Sequence, residues 1–330
     1  MTMDGEIAWT RRANAVRSTA STIKMLNALV VRDIASLDTT ITVTRRAAAI
    51  DEGDVGLRRG QKLTVRQLLQ IMLVASANDA AEALAIGVGH TQTEFVDLMN
   101  AKARSLGLTR TFAVDPHGLG RRNVSTAKEL SVLARAVMAD PVLRSIVRKR
   151  SVRVPRKGGT YTVVKSTNHL LGVYVGMEGV KTGYTIPAGF CIVGAAKRGD
   201  VELLGMVLGA PTLKSRFTQM RKLLDWGFAH IHSRTLVSAE ATLGPVPVAN
   251  GTEVSVPVRP SCDATMTLFD GGGSLTTSIS VPAAVIAPVT RGQQLGFITI
   301  SRNGIVLVSV PLVADADVPL EQAPLAAFGR

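Results

Sequence analysis

The feature that most constrains the fold is a change of hydrophobic periodicity along the chain. Before about residue 140, apolar residues recur at three- and four-residue spacing, as in the run from Val65 to Leu73, which predicts amphipathic helices. From about residue 150, short apolar runs alternate with turn residues, which predicts strands. The chain therefore combines a helical part with a β-rich part.

Capping residues mark where several helices begin. Thr64 and Gln67 have the spacing of a capping box, as do Thr91 with Glu94 and Thr126 with Glu129. The segment after Ala20 is apolar nearly all round, which is typical of a buried helix. Together these patterns predict helices over residues 20–34, from 64 onward, and over 79–86, 91–106, 126–138 and about 213–229.

Two strand pairs are predicted after the helical part. "SVRVP" and "GTYTVV" form a candidate hairpin around Gly158-Gly159, and "GFCIVGAAKRGDVELLGMVLGA" indicates two apolar strands joined at Arg198-Gly199-Asp200. From about residue 238 the chain is β-rich with turn signals every 8–12 residues, which favours a small β-sandwich or barrel-like module. A linker near 230–240 therefore separates two predicted domains, residues 1–235 and 236–330.

Composition narrows the function classes. The 330 residues are 46% apolar, enough for a real core, and carry a formal net charge of +13, which favours anionic partners such as nucleic acid, acidic membrane surfaces or anionic polymers. Only 4% are aromatic and the basic residues are scattered, so a stacking groove for nucleic acid is poorly supported. The two cysteines and five histidines form no metal-ligand pattern, so the sequence predicts no metal site and no cofactor. The chain contains neither a signal-peptide pattern nor an apolar run of ~18 residues that would span a membrane.

Ser21 and Lys24 in "STIKML" are the first candidate for chemistry. Residues three apart share a face of a helix, so the lysine would lie one turn from the serine hydroxyl. A buried lysine has a lowered pKa and can accept the hydroxyl proton. The spacing recurs as Ser125 and Lys128 in "STAK", so it does not by itself select one serine.

Two further motifs lie at workable distances. "SAN" contains Ser76 and Asn78 between two predicted helices, and "KTG" at 181–183 precedes the apolar strand from Phe190. Alone, the first has the composition of a helix cap and the second that of a turn. In this order, S-x-x-K, S-x-N and K-T-G are typical of serine acyl-enzymes that handle penicillin and D-alanyl peptides.

A second set in the same order begins with "STAK" and continues with "STN" at 166–168. The capping box of Thr126 and Glu129 already explains "STAK". "STN" lies only 13 residues before Lys181, too close to belong to an independent loop of the helical half. The set built on Ser21 is therefore preferred, since its motifs lie on three separate elements that can converge on one cleft.

Longer blocks resemble the low-molecular-mass penicillin-binding proteins, and among them the D-alanyl-D-alanine carboxypeptidases. The blocks that carry the resemblance include "RSTASTIKMLNALVV", "LTVRQLLQIMLVASANDAAEALA" and "GMEGVKTGYTIPAGFCIVGAAKRGDVELLGMVLGA", and they extend from about residue 5 to 230. More loosely, the tail resembles the β-rich C-terminal domain of this family. The resemblance implies an α/β (α+β) peptidase domain like that of β-lactamases, with an antiparallel sheet flanked by helices and a helical subdomain, followed by a small all-β domain.

The resemblance also implies a mechanism. Ser21 would attack the carbonyl between the last two D-alanines of a peptidoglycan stem peptide, Lys24 would be the general base, and Ser76 would relay a proton to the leaving D-alanine. Asn78, Lys181, Thr182, Gly183, Tyr184 and Arg216 would bind substrate: Lys181 keeps the hydrogen-bond network electropositive, Thr182 and Arg216 hold the terminal carboxylate, and the N–H groups of Ser21 and Tyr184 form the oxyanion hole. His117 in "DPHGL" is expected to be structural rather than a base. β-Lactam antibiotics would be covalent inhibitors.

The chain departs from the family pattern at both ends. Members usually begin with a signal peptide and a first strand, whereas this chain starts at "MTMDGEIAW", so an edge of the sheet is expected to be incomplete. Members often end in an amphipathic membrane-binding helix, for which "PLEQAPLAAFGR" is too short. Peripheral association with a membrane or the wall is left open. The expected location, the extracytoplasmic cell envelope, rests on the substrate of the family.

Three other functions are weighed against this one. A class A-like β-lactamase usually has S-D-N rather than S-A-N and lacks a β-rich tail. A catalytically impaired wall-binding homologue is disfavoured because all three motifs are intact. A basic nucleic-acid-binding protein, suggested by composition alone, leaves the motifs unexplained.

Overall fold

A computed structural model describes residues 1–322, and the structural statements below refer to that part of the chain. The chain forms two compact units, one spanning Met1–Ala229 and the other beginning at His230. No helix within residues 1–322 is long and apolar enough to cross a membrane. Most of "PLEQAPLAAFGR", expected to be too short for an amphipathic helix, lies outside the described residues.

The first unit contains both helices and strands, numbered here in chain order. Its helices are α1 Lys24–Ile34, α2 Arg45–Ala48, α3 Val65–Val74, α4 Asn78–Gly89, α5 Gln92–Ser105, α6 Ala127–Ala139, α7 Pro141–Val147 and α8 Leu213–His230. Its strands are β1 Arg17–Ser18, β2 Thr40–Thr42, β3 Lys62–Thr64, β4 Val124–Ser125, β5 Ser151–Pro155, β6 Tyr161–Lys165, β7 Met177–Thr185, β8 Gly189–Arg198 and β9 Val201–Ala210.

The central sheet of this unit is antiparallel, in the order β7-β8-β9. On one face, Val193 and Leu204 join the apolar core formed with the helices. On the other face, Met220 of α8 lies where a side chain on Gly194 or Gly205 would be, 2.9 and 2.8 Å from the ideal Cβ positions. The two glycines therefore let α8 pack closely on the sheet, and the sheet lies between α8 and the remaining helices.

The two outer edges of this sheet differ. β7 is one edge strand, and β9 is the other. The outer edge of β9 is bridged at Leu203 by Thr2, and within residues 1–322 no strand pairs with the rest of it.

The helical core follows the predicted apolar stripes. Leu68, Leu69 and Met72 of α3 are fully buried, and α1 is buried from Lys24 to Val31. Because α1 is surrounded by other elements, the polar side chains near its start lie inside the protein. This burial sets the chemistry described below.

Most predicted helices are confirmed to within a few residues. The four-residue helix α2 was not predicted, and there are three further differences. The segment from Ala20 to Ile23 is a 3₁₀ turn that leads into α1. Helix α7 was missed, although Asp140 caps it and Pro141 is its first residue, a recognisable start signal. The K-T-G motif precedes the strand around Phe190 as predicted, but it lies inside a separate strand, β7, which was not predicted.

The predicted capping boxes at Thr64 and Thr126 differ in how many of their two hydrogen bonds are present. The box of Thr64 and Gln67 has both of its hydrogen bonds. Thr126 accepts from the Glu129 N–H, but the Glu129 carboxylate accepts from Thr111 and from the backbone N–H of Arg110. The predicted reason for "STAK" is thus half correct.

The second unit is all β from Ile231 to residue 322, as predicted. β10 pairs with β13, and a six-stranded sheet has the order β14-β16-β17-β12-β11-β15. The hairpin between β16 and β17 turns at Asn303-Gly304, both with positive φ. The strands are β10 Ile231–Val237, β11 Leu243–Ala249, β12 Ser255–Pro260, β13 Ala264–Phe269, β14 Leu275–Ser280, β15 Val285–Ile286, β16 Gln294–Arg302 and β17 Ile305–Ala314.

Candidate active site

Three elements of the first unit converge on one site. Ser21 lies in the 3₁₀ turn and Lys24 opens α1, while Ser76 and Asn78 lie at the junction of α3 and α4. Lys181 lies on the edge strand β7. The structure thus brings together the three motifs that the sequence placed far apart.

The Lys24 amine is the centre of this site. Its Nζ lies 2.8 Å from Ser21 Oγ, 2.5 Å from Asn78 Oδ1 and 2.5 Å from the His117 carbonyl oxygen. A neutral amine has two N–H donors and one lone pair. When the two N–H groups are donated to Asn78 and His117, the lone pair is left for the serine hydroxyl, and the amine can accept the proton of that hydroxyl.

Burial lowers the pKa of this amine, which favours its role as a base. Lys24 is fully buried, and desolvation lowers its pKa to about 7, against an opposing effect of the Asp115 and Asp79 carboxylates, which raise it. A substantial fraction of Lys24 is therefore deprotonated at neutral pH. An exposed lysine would remain charged there.

Asn78 connects this amine to a neighbouring loop. Its Nδ2 donates to the Glu52 carbonyl oxygen at 2.6 Å, while its Oδ1 accepts from Lys24, and the side chain is almost fully buried. The amide therefore orients the lysine. The predicted contact of Asn78 with a substrate amide stays a prediction.

Ser76 lies in a strained conformation beside Lys181. Its φ is +64°, in the left-handed region that non-glycine residues seldom occupy, and its hydroxyl accepts from Lys181 Nζ at 2.7 Å. Lys181 also donates to the carbonyl oxygen of Thr182 at 2.8 Å. Strain of this kind is concentrated at functional sites.

The pKa of Lys181 is also lowered by its surroundings. It is fully buried, and desolvation, followed by the positive charges of Lys24 and Arg216, lowers its pKa well below the usual lysine value. The predicted role of Lys181, to keep the hydrogen-bond network electropositive, stays a prediction. An anion bound nearby would favour the charged form of Lys181.

Arg216 is the second buried cation on this side. Its Nη1 donates to the carbonyl oxygens of Gly183 and Cys191 at 3.2 and 3.3 Å, and its guanidinium carbon lies 4.5 Å from the centre of the Phe217 ring. Burial lowers its pKa to about 10, and its Nε has no hydrogen-bond partner within residues 1–322. A buried guanidinium with a free donor is suited to bind a carboxylate.

The hydroxyl of Thr182 contacts a residue that was not among the predicted site residues. Its hydroxyl lies 2.6 Å from the hydroxyl of Thr167, which belongs to the "STN" motif that was set aside. The Asn168 side chain of that motif instead donates to Gly179 and accepts from Leu170. "STN" therefore supports β7, and it orients the Thr182 hydroxyl.

Gly183 and Tyr184 form the part of β7 closest to the nucleophile. A Cβ on Gly183 would lie 3.0 Å from the Ser21 backbone nitrogen, which is tighter than most Cβ contacts, so glycine favours this close approach. Tyr184 is half exposed and stacks on Phe190, with ring centres 4.2 Å apart. The backbone of β7 thus runs directly beside Ser21.

The turn that carries the His117 carbonyl is held by two carboxylates. His117 Nδ1 lies 3.0 Å from Asp115 Oδ1, and its Nε2 lies 3.9 Å from Glu82 Oε2, an oxygen without a hydrogen-bond partner in the described structure. Glu82 Oε1 accepts from Arg46 Nε at 2.6 Å. The His117 imidazole thus lies between two carboxylates, and Glu82 is a neighbouring residue that sequence reasoning missed.

The second S-x-x-K motif is arranged differently. Ser125 is fully buried on β4, and its hydroxyl lies 2.7 Å from that of Thr111. Lys128 is exposed. In the part of the chain that the structure describes, the Ser125 hydroxyl has no hydrogen bond to an amine, and the residue is closed to solvent.

A serine hydroxyl beside a buried, deprotonatable amine is the arrangement of a serine hydrolase that uses lysine as its base. Comparison with known families extends this assignment. A family model described as D-alanyl-D-alanine carboxypeptidase matches residues 2–212, and one described as the C-terminal domain of penicillin-binding protein 5 matches residues 232–320. The chain belongs to the D-alanyl-D-alanine carboxypeptidase family of low-molecular-mass penicillin-binding proteins, and the predicted family, fold class and enzyme class are confirmed.

Individual relatives agree with this assignment. The chain is 40% identical over 234 residues to the D-alanyl-D-alanine carboxypeptidase DacB2 of Mycobacterium tuberculosis, covering 68% of this chain and 79% of the relative. It is 26% identical over 321 residues to DacF of Bacillus subtilis, covering 95% of this chain and 82% of the relative. Penicillin-binding protein 5 from Haemophilus influenzae superposes with a TM-score of 0.71 at 26% identity, over 96% of this chain and 94% of that one.

Proposed function

We propose that the protein removes the terminal D-alanine from peptidoglycan stem pentapeptides through an acyl-enzyme on Ser21. The observation that carries this proposal is the environment of Lys24, whose amine lies 2.8 Å from Ser21 Oγ with its N–H groups taken by two other acceptors. Membership of the D-alanyl-D-alanine carboxypeptidase family supplies the substrate class.

Acylation follows from these contacts. Lys24 takes the hydroxyl proton as Ser21 Oγ attacks the carbonyl carbon of the penultimate D-alanine. The N–H groups of Ser21 and Tyr184 stabilise the resulting oxyanion, a contribution of several kcal/mol in acyl-transfer enzymes. The peptide C–N bond then breaks as Ser76 donates its hydroxyl proton to the leaving amine, which departs as D-alanine, and Ser76 takes in return the proton that Lys24 had accepted. Water then attacks the ester carbonyl and gives a proton to Lys24, the C–O bond to Ser21 breaks, and Lys24 returns that proton to Ser21 Oγ.

The substrate peptide would lie along the outer edge of β7, whose backbone passes Ser21 at Gly183. Its terminal carboxylate would bind Thr182 and Arg216. Burial lowers the pKa values of Lys24, Lys181 and Arg216 alike. An incoming carboxylate would relieve this clustering of cationic groups, which favours substrates with a free C-terminus.

β-Lactams would acylate the same serine, because their strained amide presents a carbonyl and a carboxylate in a similar arrangement. The substrate lies outside the cytoplasm, so the proposed location is the cell envelope. Association with the membrane or wall surface would be peripheral.

The decisive experiment is acylation by a labelled penicillin, with the modified residue located by mass spectrometry. An adduct on Ser21 is expected, together with D-alanine release from a pentapeptide that disappears in Ser21→Ala. Ser125→Ala is the matched control and should retain both activities if it folds. An adduct on Ser125, or no adduct in folded protein, would overturn the assignment.

The same assay separates the other functions. Rapid turnover of penicillin without D-alanine release would indicate a β-lactamase-like hydrolase. Binding to wall material with neither reaction would indicate a catalytically impaired homologue.

A further inference from the structure

A second concave site lies on the opposite edge of the central sheet. K-T-G lies on β7, whereas a pocket of about 600 Å³ is formed by β9, α8 and the N-terminal segment. This volume is within the range of ligand sites, roughly 300–1,000 Å³. None of the residues proposed for catalysis lines it, so the pocket is not part of the peptidase site.

The pocket is strongly basic. Its lining includes Arg11, Arg12, Arg17 and Lys222 and contains no Asp or Glu. The ion pairs found in residues 1–322 involve none of these four side chains. Four cations facing a shared cavity without a carboxylate repel one another, and a polyanion would remove that repulsion.

The pocket also contains flat apolar surfaces. Both tryptophans of the chain, Trp9 and Trp226, line it, although only 4% of the residues are aromatic. Trp9 is 53% exposed, which is unusual for the largest apolar side chain. Indole faces beside guanidinium groups match a ligand that has both ring faces and anionic groups.

We propose that this pocket binds an acidic glycan strand, with a sugar ring against the exposed indole of Trp9 and carboxylates on the surrounding cations. The anionic class of the ligand follows from the pocket alone. The choice of a sugar polymer rests on the proposed function, because the proposed substrate peptide is carried on such a strand. The muramic acid residues of that strand expose a lactyl carboxylate wherever no peptide is attached. A concave pocket fits a single strand better than a flat membrane surface. The site would hold the polymer while β7 binds the peptide.

Tryptophan fluorescence tests this directly, because both emitters line the pocket. The probe is a peptide-free oligomer of alternating N-acetylglucosamine and N-acetylmuramic acid, whose lactyl groups carry carboxylates. A saturable change in emission is expected. An N-acetylglucosamine oligomer of equal length lacks the carboxylates, and it should cause no change at the same concentrations.

Two neighbouring residues of α8 provide matched variants. Lys222 lines the pocket and Arg221 does not, and both are exposed. Lys222→Glu should weaken binding of the acidic oligomer roughly tenfold, since it replaces an attraction to a carboxylate by a repulsion. Arg221→Glu makes the same charge change on the same helix and should alter binding less than about twofold.

Four outcomes would overturn the proposal: no emission change with the acidic oligomer, an equal response to the neutral oligomer, equal affinities of the two variants, or tighter binding of anionic phospholipid vesicles or single-stranded DNA. Labelled penicillin should acylate Ser21 in both variants. Loss of acylation in the wild-type protein would count against the proposed function, whereas loss of the glycan response alone would count against this pocket.

Discussion

Ser21 with Lys24 and Ser125 with Lys128 have the same spacing in sequence, yet their surroundings differ in every respect that matters for catalysis. Lys24 is fully buried and 2.8 Å from its serine, whereas Lys128 is exposed and Ser125 is bonded to Thr111. Only the first pair has a hydroxyl, an amine with a lowered pKa and a neighbouring edge strand together. The spacing of the motif is therefore not sufficient: burial of the lysine, which lowers its pKa, is what makes it suitable as a base.

The largest difference between the two pairs is expected in the acylation rate when each lysine is replaced in turn. Lys24→Ala is expected to slow acylation by labelled penicillin by about 10³-fold, since general base catalysis contributes roughly 10²–10⁴-fold. Lys24→Arg should not rescue the rate, because a guanidinium stays protonated. Lys128→Ala should leave the rate within about twofold of wild type, since an exposed side chain is lost. Equal losses in Lys24→Ala and Lys128→Ala would contradict the assignment.

The pH dependence of acylation tests the burial of Lys24. Because burial lowers its pKa to about 7, the base becomes available as the pH rises through that value. The acylation rate should therefore increase about tenfold per pH unit below the midpoint and level off about one unit above it. Rates for penicillin acylation across the neutral range provide the check. A flat profile, or a rate that falls as the pH rises through neutrality, would show that a neutral Lys24 amine is not the base.

Arg216 should distinguish substrates by their C-terminus. Arg216→Gln is expected to lower kcat/KM for a peptide with a free carboxylate by roughly 10- to 100-fold, the value of a charge-assisted hydrogen bond. The same variant should have little effect on a C-terminal amide analogue. Arg221→Gln, on the exposed face of the same helix, serves as the control. If both substrates lost activity equally, Arg216 would be a packing residue rather than a carboxylate ligand.

Among the site substitutions, Glu82→Gln is expected to change the acylation rate least. Glu82→Gln keeps an acceptor for Arg46 but removes the negative charge 3.9 Å from His117 Nε2. Looser positioning of the His117 carbonyl should slow acylation roughly threefold without changing KM, corresponding to about 0.7 kcal/mol. Glu94→Gln, in the first turn of α5, is the comparison variant and should be silent. A change of KM without a change of kcat would assign Glu82 to substrate binding instead.

Local patterns predicted much of the fold correctly. Helices α3, α5 and α6 and strands β8 and β9 follow from periodicity and turn residues, which depend on neighbours in sequence. Strand β7 was missed because it is buried from Met177 to Gly183, so it shows no alternation of apolar and polar residues. Polar residues inside that strand made its K-T-G segment resemble a turn.

The supporting residues of the site were harder to find. The Thr167 hydroxyl contacts that of Thr182, 15 residues further on, and Glu82 lies near His117, 35 residues further on (117 − 82), so neither contact leaves a local pattern. The S-T-N pattern around Thr167 is visible in the sequence, but its short separation from Lys181 argues against an independent catalytic loop. A short sequence separation does not prevent a loop from folding back on a strand.

The sequence by itself determined which side chains can do the chemistry: a serine and lysine one turn apart, a second serine near an asparagine, and a K-T-G segment in the order typical of serine acyl-enzymes. The folded chain distinguishes the two serine–lysine pairs of equal spacing, because it buries Lys24 beside Ser21 and leaves Lys128 exposed. The lysine base depends on desolvation and on acceptors supplied by α4 and the His117 turn, 54 and 93 residues away. The pKa of an amine is a property of its surroundings, and those surroundings exist only after the chain has folded.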